Sequence, residues 1–279
     1  MKNKYILISI AVLMTIGASI YQKLVGPTHP DWMNTELNGT DYSYKLRRSN
    51  DGVFLAPINI EIADQKVKAK IHFKHYPIVE GEEYIVEDFK RDGDFLLAEL
   101  PHQSAAGKLM YYIEFITDSG SVFEKKDAPI VLRYRDPVPV WWVLTPHIFF
   151  MFFAMMLSNL AGLKAVFGVD GYKKTGKYAL MALVVGGFIF GPLMQKFAFG
   201  EFWTGVPFGF DLTDNKTLIA FLAWAFALWH GSKKENSRGV FIFATLATLA
   251  VYLIPHSVLG SELDRNSGEV VTGMIAWFF

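Results

Sequence analysis

Lysine and arginine gather in alternate connections between the apolar runs of this chain, and that alternation constrains its fold more than any other feature. The apolar runs are Tyr5–Tyr21, Val138–Leu163, Tyr178–Phe199, Thr217–His230 and Gly239–His256. Lys2 and Lys4 precede the first run. Lys164, Lys173, Lys174 and Lys177 follow the second, and Lys233, Lys234 and Arg238 separate the fourth from the fifth. The other connections carry Glu201, Asp211, Asp214 and Glu262. Short basic loops stay on the cytoplasmic side of a membrane. The pattern therefore predicts five helices with a cytoplasmic N-terminus, and with residues 22–137, 200–216 and 257–279 outside.

The first run follows a basic n-region, as export signals do. Its 17 residues are near the lower limit for a crossing, for which about 20 are typical. Residues 1–24 are read as an uncleaved signal anchor. The expected organisation is then an extracytoplasmic β domain over 25–136 and a transmembrane helical module over 137–279, with an outer loop at 200–216 and an outer tail at 257–279. The setting is a prokaryotic plasma membrane.

Charge balances, with 27 basic and 27 acidic residues, which argues against a nucleic-acid partner. The lipid bilayer and other membrane-protein subunits are the expected partners. No cysteine is present, so disulfides, thiolate metal sites and haem attachment through C-x-x-C-H are excluded.

Between residues 36 and 136 the hydrophobic period becomes alternating. Lys66–Lys74 is apolar at each odd position and basic or His at each even one, the pattern of a half-buried strand. Further strands are expected at Tyr42–Arg48, Pro57–Ala63, Glu83–Phe89, Asp94–Leu100, Lys108–Thr117, Ser121–Lys126 and Ile130–Arg135. Turn signals separate them, including Asn38-Gly39, Asp51-Gly52, Asp92-Gly93 and Ser119-Gly120. About eight short strands in such a stretch predict an antiparallel sandwich. The segment Ala106–Phe115 followed by Asp118–Ser121 resembles the late hairpin of fibronectin type III and immunoglobulin-like domains. That resemblance implies adhesion, docking or spacing rather than chemistry. The Lys66/Lys68/Lys70/Lys74 face is read as solvated, or as the guard of an edge strand. His72 and His75 fall on opposite strand faces, which excludes a shared metal ion.

In the helical module, Trp141 and Trp142 follow two prolines and fit an interfacial belt. His147 lies about two turns inside the outer boundary, where an ionisable side chain is a functional candidate. His256 ends the fifth helix on the same side, whereas His230 ends the fourth at the cytoplasmic face. Asn159 is the polar residue of the helix interiors, near the cytoplasmic end. The loop between the third and fourth helices is aromatic, glycine-rich and broken by Pro207. It is predicted to pack at the membrane surface. Asp211 or Thr213 is placed to cap the fourth helix. That helix has a clean apolar run of only 14 residues and needs loop residues to complete a span.

His147, His256, Glu201, Asp211 and Asp214, with Lys196 and Glu262, thus converge on the outer side. Read structurally, the aspartates are caps, the charges are anchors and the histidines are satisfied by neighbouring helices. Read chemically, His147 and His256 with the carboxylates Glu201, Asp211 and Asp214 are a ligand set for zinc, copper or iron. Alternatively the two histidines are axial ligands of a b-type haem. An acid–base pair from Asp211, Asp214 or His256 is a further alternative, without a nucleophile motif beside it. The expected function is an accessory, scaffold or docking subunit of a membrane complex, acting through the β domain, the aromatic loop and the apolar tail 270–279. The alternative is a redox, metal-binding or haem-binding membrane protein with its centre at the outer face.

Overall fold

A computed structural model describes residues 2–52, 54–78, 81–255, 261–265, 267–268 and 270–272. The fold is mixed α+β and divides into two compact units. One, the β unit, comprises Thr28–Pro137 and Glu262–Val271. The other, helical, is drawn from Met1–Pro27, Val138–Ser261 and Thr272–Phe279.

The β unit begins with a hairpin of β1 (Asp31–Leu37) and β2 (Thr40–Leu46). Asn38 and Gly39 join them with φ of 50° and 77°, the two left-handed residues of a tight hairpin turn. A three-stranded antiparallel sheet has the order β4 (Ala56–Glu61), β8 (Phe95–Leu100), β7 (Lys90–Asp92). The six-stranded sheet runs β3 (Ser49–Asp51), β11 (Ile130–Arg135), β9 (Lys108–Thr117), β5 (Lys68–Tyr76), β6 (Ile85–Asp88), with β10 (Gly120–Glu124) also on β9. Only the β3–β11 pair in it is parallel.

All eight expected strands are present. β1, β3 and β7 were not expected. β1 escapes the alternation rule because its inward positions are Met33, Thr35 and Leu37, one of them polar. β5 is not an edge strand, since β9 and β6 flank it. Its alternation instead reflects one buried face (Ala69, Ile71, Phe73) and one wetter face. On the wetter face Lys70 stands opposite Glu114, and Lys74 lies 4.6 Å above the Tyr84 ring. Inward residues of β1, β2, β4, β5, β8, β9 and β11 merge into one hydrophobic cluster that includes Leu37, Leu46, Ile60, Ile71, Phe115 and Tyr134. Each such side chain contributes about 1.5–3 kcal/mol on leaving water.

The segment after the last helix was expected to lie wholly within the helical module, yet residues 262–271 fold with the β unit. β12 (Ser261–Leu263) and β13 (Val270–Thr272) pair with each other. Leu263 donates its N–H to the Ala106 carbonyl at 3.3 Å. Lys108 and Glu262 form an ion pair beside it.

The helical unit contains α1 (Lys2–Val25), α2 (Thr145–Val166), α3 (Tyr172–Leu183), α4 (Gly191–Phe199), α5 (Leu212–Lys233) and α6 (Arg238–Leu253). A π-helical turn at Val140–Leu144 leads into α2, and a π-helical stretch at Val184–Phe190 joins α3 to α4. Among the described residues, three helical segments, Lys4–Val25, Val140–Val166 and Tyr172–Phe199, are long and apolar enough to cross a membrane. α5 starts at Leu212, ahead of the apolar run, and reaches 22 residues. α6 has 16.

Small side chains let these helices approach closely. Ala154, Ala161, Ala165, Ala179, Ala182, Ala220, Ala223, Ala227 and Ala244 form the packed seam with Trp224 and Phe241. A Cβ at Gly162 would come within 2.5 Å of Thr245, so α2 and α6 meet only because that position is glycine. Trp224 donates its indole N–H to Thr248 at 2.9 Å. α1 buries Leu7, Ala11 and Thr15 on one face, and Asn159 donates to the Thr15 hydroxyl at 3.1 Å. The Asn159 amide N–H is therefore spent on holding α1.

Candidate functional site

The polar residues singled out in the helical unit are organised by the N-terminus of α5. Asp211 is its N-cap and accepts from the backbone N–H groups of Thr213 at 2.7 Å and Asp214 at 3.3 Å. An uncapped helix leaves these donors without partners, which is why aspartate suits the position. The Ser261 hydroxyl donates to the second Asp211 oxygen at 3.3 Å, and Asp211 N–H reaches the Thr204 carbonyl at 3.0 Å.

Asp214, one turn further on, folds the preceding loop back on the helix. Its Oδ2 accepts from the N–H groups of Thr204 at 2.7 Å and Gly205 at 3.1 Å. With its amide oriented to suit its neighbours, Gln195 of α4 donates to both Asp214 oxygens at 2.9 Å and accepts from the Thr204 hydroxyl. Asn215 accepts from Val206 N–H at 2.8 Å. A Cβ at Gly205 would meet the Asp214 Cβ at 2.7 Å, so this approach requires glycine. Trp203 stacks on Phe188 with ring centres 5.5 Å apart. Asp211 and Asp214 are both buried, and their oxygens are occupied by the donors of the loop and the helix.

The loop clasped in this way presents its aromatic side chains outward. Phe202, Val206, Phe208 and Phe210 are exposed, Phe208 to 83%. Glu201 at the start of the loop is exposed as well. Lys196 donates to the Gly200 carbonyl and lies 5.3 Å from the Phe202 ring centre.

Lys216, also buried, extends from α5 to the end of α6, donating to the carbonyls of Ile254 at 2.8 Å and Pro255 at 3.3 Å. Gln22 of α1 donates to the neighbouring Tyr252 carbonyl at 2.9 Å. The last carbonyls of a helix lack intrahelical partners, and here two other helices supply them.

His147 stands apart from the clasp. Its Nδ1 is 2.9 Å from the Gly186 carbonyl, inside the π-helical stretch. A carbonyl only accepts, so Nδ1 carries a proton and donates it to Gly186. Glu262 belongs to the β unit with Lys108. His230 ends α5, its ring 6.0 Å from Phe226. His256 lies outside the described residues. Among the described residues, no group of three or more His, Asp or Glu side chains is arranged to hold a metal ion.

Sequence reasoning left the cap open between Asp211 and Thr213, of which the structure selects Asp211, and did not anticipate Gln195, Thr204 or Gly205 as partners of Asp214. A lone glutamine in the otherwise apolar run Gly191–Phe199, which also carries Lys196, was the available signal. No family model matches the chain, and no curated protein is similar to it.

Proposed function

We propose that this chain is a non-catalytic accessory, scaffold or docking subunit of a membrane complex in a prokaryotic plasma membrane. Its clasped aromatic loop and its β unit make the contacts. The β unit is read as an exported antiparallel sandwich, similar in kind to fibronectin type III and immunoglobulin-like domains. The observation that carries the proposal is the pairing of a fixed base with a greasy tip. Asp211, Asp214, Gln195 and Asn215 hold the loop, while Phe202, Val206, Phe208 and Phe210 remain on the surface. An exposed apolar patch on an ordered support is what an interaction site requires.

Chain topology supports the multi-pass reading. Residues 28–137 and 262–271 belong to one folded unit, which supports a reading with both on one side of the bilayer. The stretch between them then crosses an even number of times. Four crossings by α2, α3 with α4, α5 and α6 satisfy this, and α1 adds a fifth. The lysine and arginine distribution supports an orientation with the β unit outside and the N-terminus in the cytoplasm.

Native electrophoresis of gently solubilised membranes tests the proposal. The chain should run in an assembly well above its own 31.5 kDa. Phe202→Asp with Phe208→Asp should release it at unchanged thermal stability. Migration at its own mass in both forms would contradict the scaffold reading.

A second reading rests on His147. Ligating histidines usually donate their other ring N–H to a carbonyl or carboxylate, as Nδ1 does here to Gly186. A redox or metal centre at the outer face, with a b-type haem or a transition metal on His147 and His256, predicts a Soret band or stoichiometric metal lost in His147→Ala.

A further inference from the structure

The side of the helical unit opposite the clasp carries a second, unrelated feature. Residues 164–177 and 231–238 contain seven lysines and arginines against two acidic residues, Asp170 and Glu235. Within this girdle a shallow, largely open cavity of about 310 Å³ lies between α3, α5 and α6. Leu228, Gly231, Ser232 and Phe241 line it with Lys173, Lys174 and Lys177. Phe241 is fully buried, and its ring belongs to the seam beneath.

The three lysines differ in their work. Lys173 donates to the carbonyls of Gly231 and Lys234 at 2.8 Å each, and so closes the C-terminal end of α5. Lys174 and Lys177 are exposed and form no ion pair among the described residues. No acidic residue stands in the first turn of α3 to balance them. The fold thus concentrates uncompensated positive charge at the rim of an apolar-floored cavity.

We propose that this cavity seats the headgroup of an anionic phospholipid, with Lys174 and Lys177 on its phosphate and the glycerol end against Leu228. Two properties select a lipid over free phosphate. The floor is apolar, and the helices carrying the lysines are read as bilayer crossings, which places the rim at headgroup depth. Basic pockets between membrane helices on the cytoplasmic side take anionic headgroups in this way. The inference rests on the orientation adopted above but not on the docking loop.

The test uses the full-length chain, delipidated and reconstituted with defined lipid. Native mass spectrometry counts retained phosphatidylglycerol against phosphatidylcholine, with inorganic phosphate as a separate competitor. Two lysines near an anionic headgroup are together worth about thirtyfold in affinity. Lys174→Gln with Lys177→Gln should therefore bind phosphatidylglycerol about thirtyfold more weakly. Lys45→Gln with Lys66→Gln, which removes the same charge from the β unit, should bind as the parent does. Equal retention of the two lipids, equal retention by the two variants, or displacement by millimolar inorganic phosphate would overturn the proposal. Headgroup selectivity is read on the isolated chain and assembly size on native membranes, so either reading can fail without the other.

Discussion

Lys108 and Glu262, 154 residues apart, meet as an ion pair with both side chains largely shielded from solvent. Burial pushes the Lys108 ammonium below its usual value, and the hydrogen bond and charge of Glu262 oppose that push. Glu262→Ala would leave the ammonium buried without its partner, at about 3–5 kcal/mol. The unfolded lysine, near 10.5, then holds its proton more tightly than the folded one. Stability rises with pH wherever the unfolded state binds more protons, so the deficit should shrink as pH climbs toward 10.5. Chemical denaturation of parent and variant across that range checks both the size and the slope.

Asp214 holds the loop through two backbone donors and Gln195. Asp214→Ala would strand the N–H groups of Thr204 and Gly205 in a buried setting, at about 2–3 kcal/mol locally. Amide exchange over residues 202–210 should accelerate accordingly, while exchange in α2 stays slow. Asp214→Asn keeps one acceptor oxygen and should fall between the two. If the alanine variant leaves loop exchange unchanged, Asp214 does not hold the loop.

Asn159 and Thr15 join α2 to α1 through a bond inside the helical unit. Hydrogen bonds between membrane helices contribute about 0.6–2 kcal/mol. Thr15→Val should loosen α1 by about that amount and leave the α2–α6 contact at Gly162 and Thr245 intact. Since the chain has no cysteine, introduced pairs report directly. Disulfide trapping between Ala11→Cys and Leu160→Cys should slow in the Thr15→Val background, and equal rates would rule the bond out as a tether.

Glu114 in β9 sets an acid limit for the β unit. The Ser121 hydroxyl, donating at 2.7 Å, holds this carboxyl below its ordinary 4.5 against the opposing effect of burial, and His72 at 2.9 Å adds to the depression. A carboxylate lowered in the folded state stabilises above its unfolded value, and that stability is lost as pH falls through the folded one. Ser121→Ala should raise the Glu114 titration midpoint and shift acid unfolding to higher pH. A carboxyl-resolved NMR titration gives the first and circular dichroism the second.

The parts of the fold visible in the sequence are those with local causes. Alternation across Lys66–Lys74 revealed β5, and Asn38-Gly39 announced the turn before β2. Asp211 before Thr213 and Asp214 signalled a helix cap because capping acts over two or three residues. The edge-strand option for β5 failed because alternation reports one buried face and says nothing of neighbours in the sheet. The clasp was hidden for a different reason. Asp214 is bound by backbone N–H groups, which carry no residue signature, and by a glutamine on another helix. His147 is likewise met by a backbone carbonyl, that of Gly186 within a π-helical stretch, which also accepts the Gly191 N–H. The Lys108–Glu262 pair joins residues 154 positions apart, and no periodic pattern reaches that far.

Photo-crosslinking from position 208 in intact cells tests the docking role most directly. A photoreactive amino acid replacing Phe208, the most exposed aromatic of the clasped loop, should form a crosslink to one defined membrane protein. That adduct should disappear in the Asp214→Ala background, and the same probe at Ile189, exposed on the helical surface, should not form it. Crosslinks from position 208 to lipid alone would contradict a docking role for this chain.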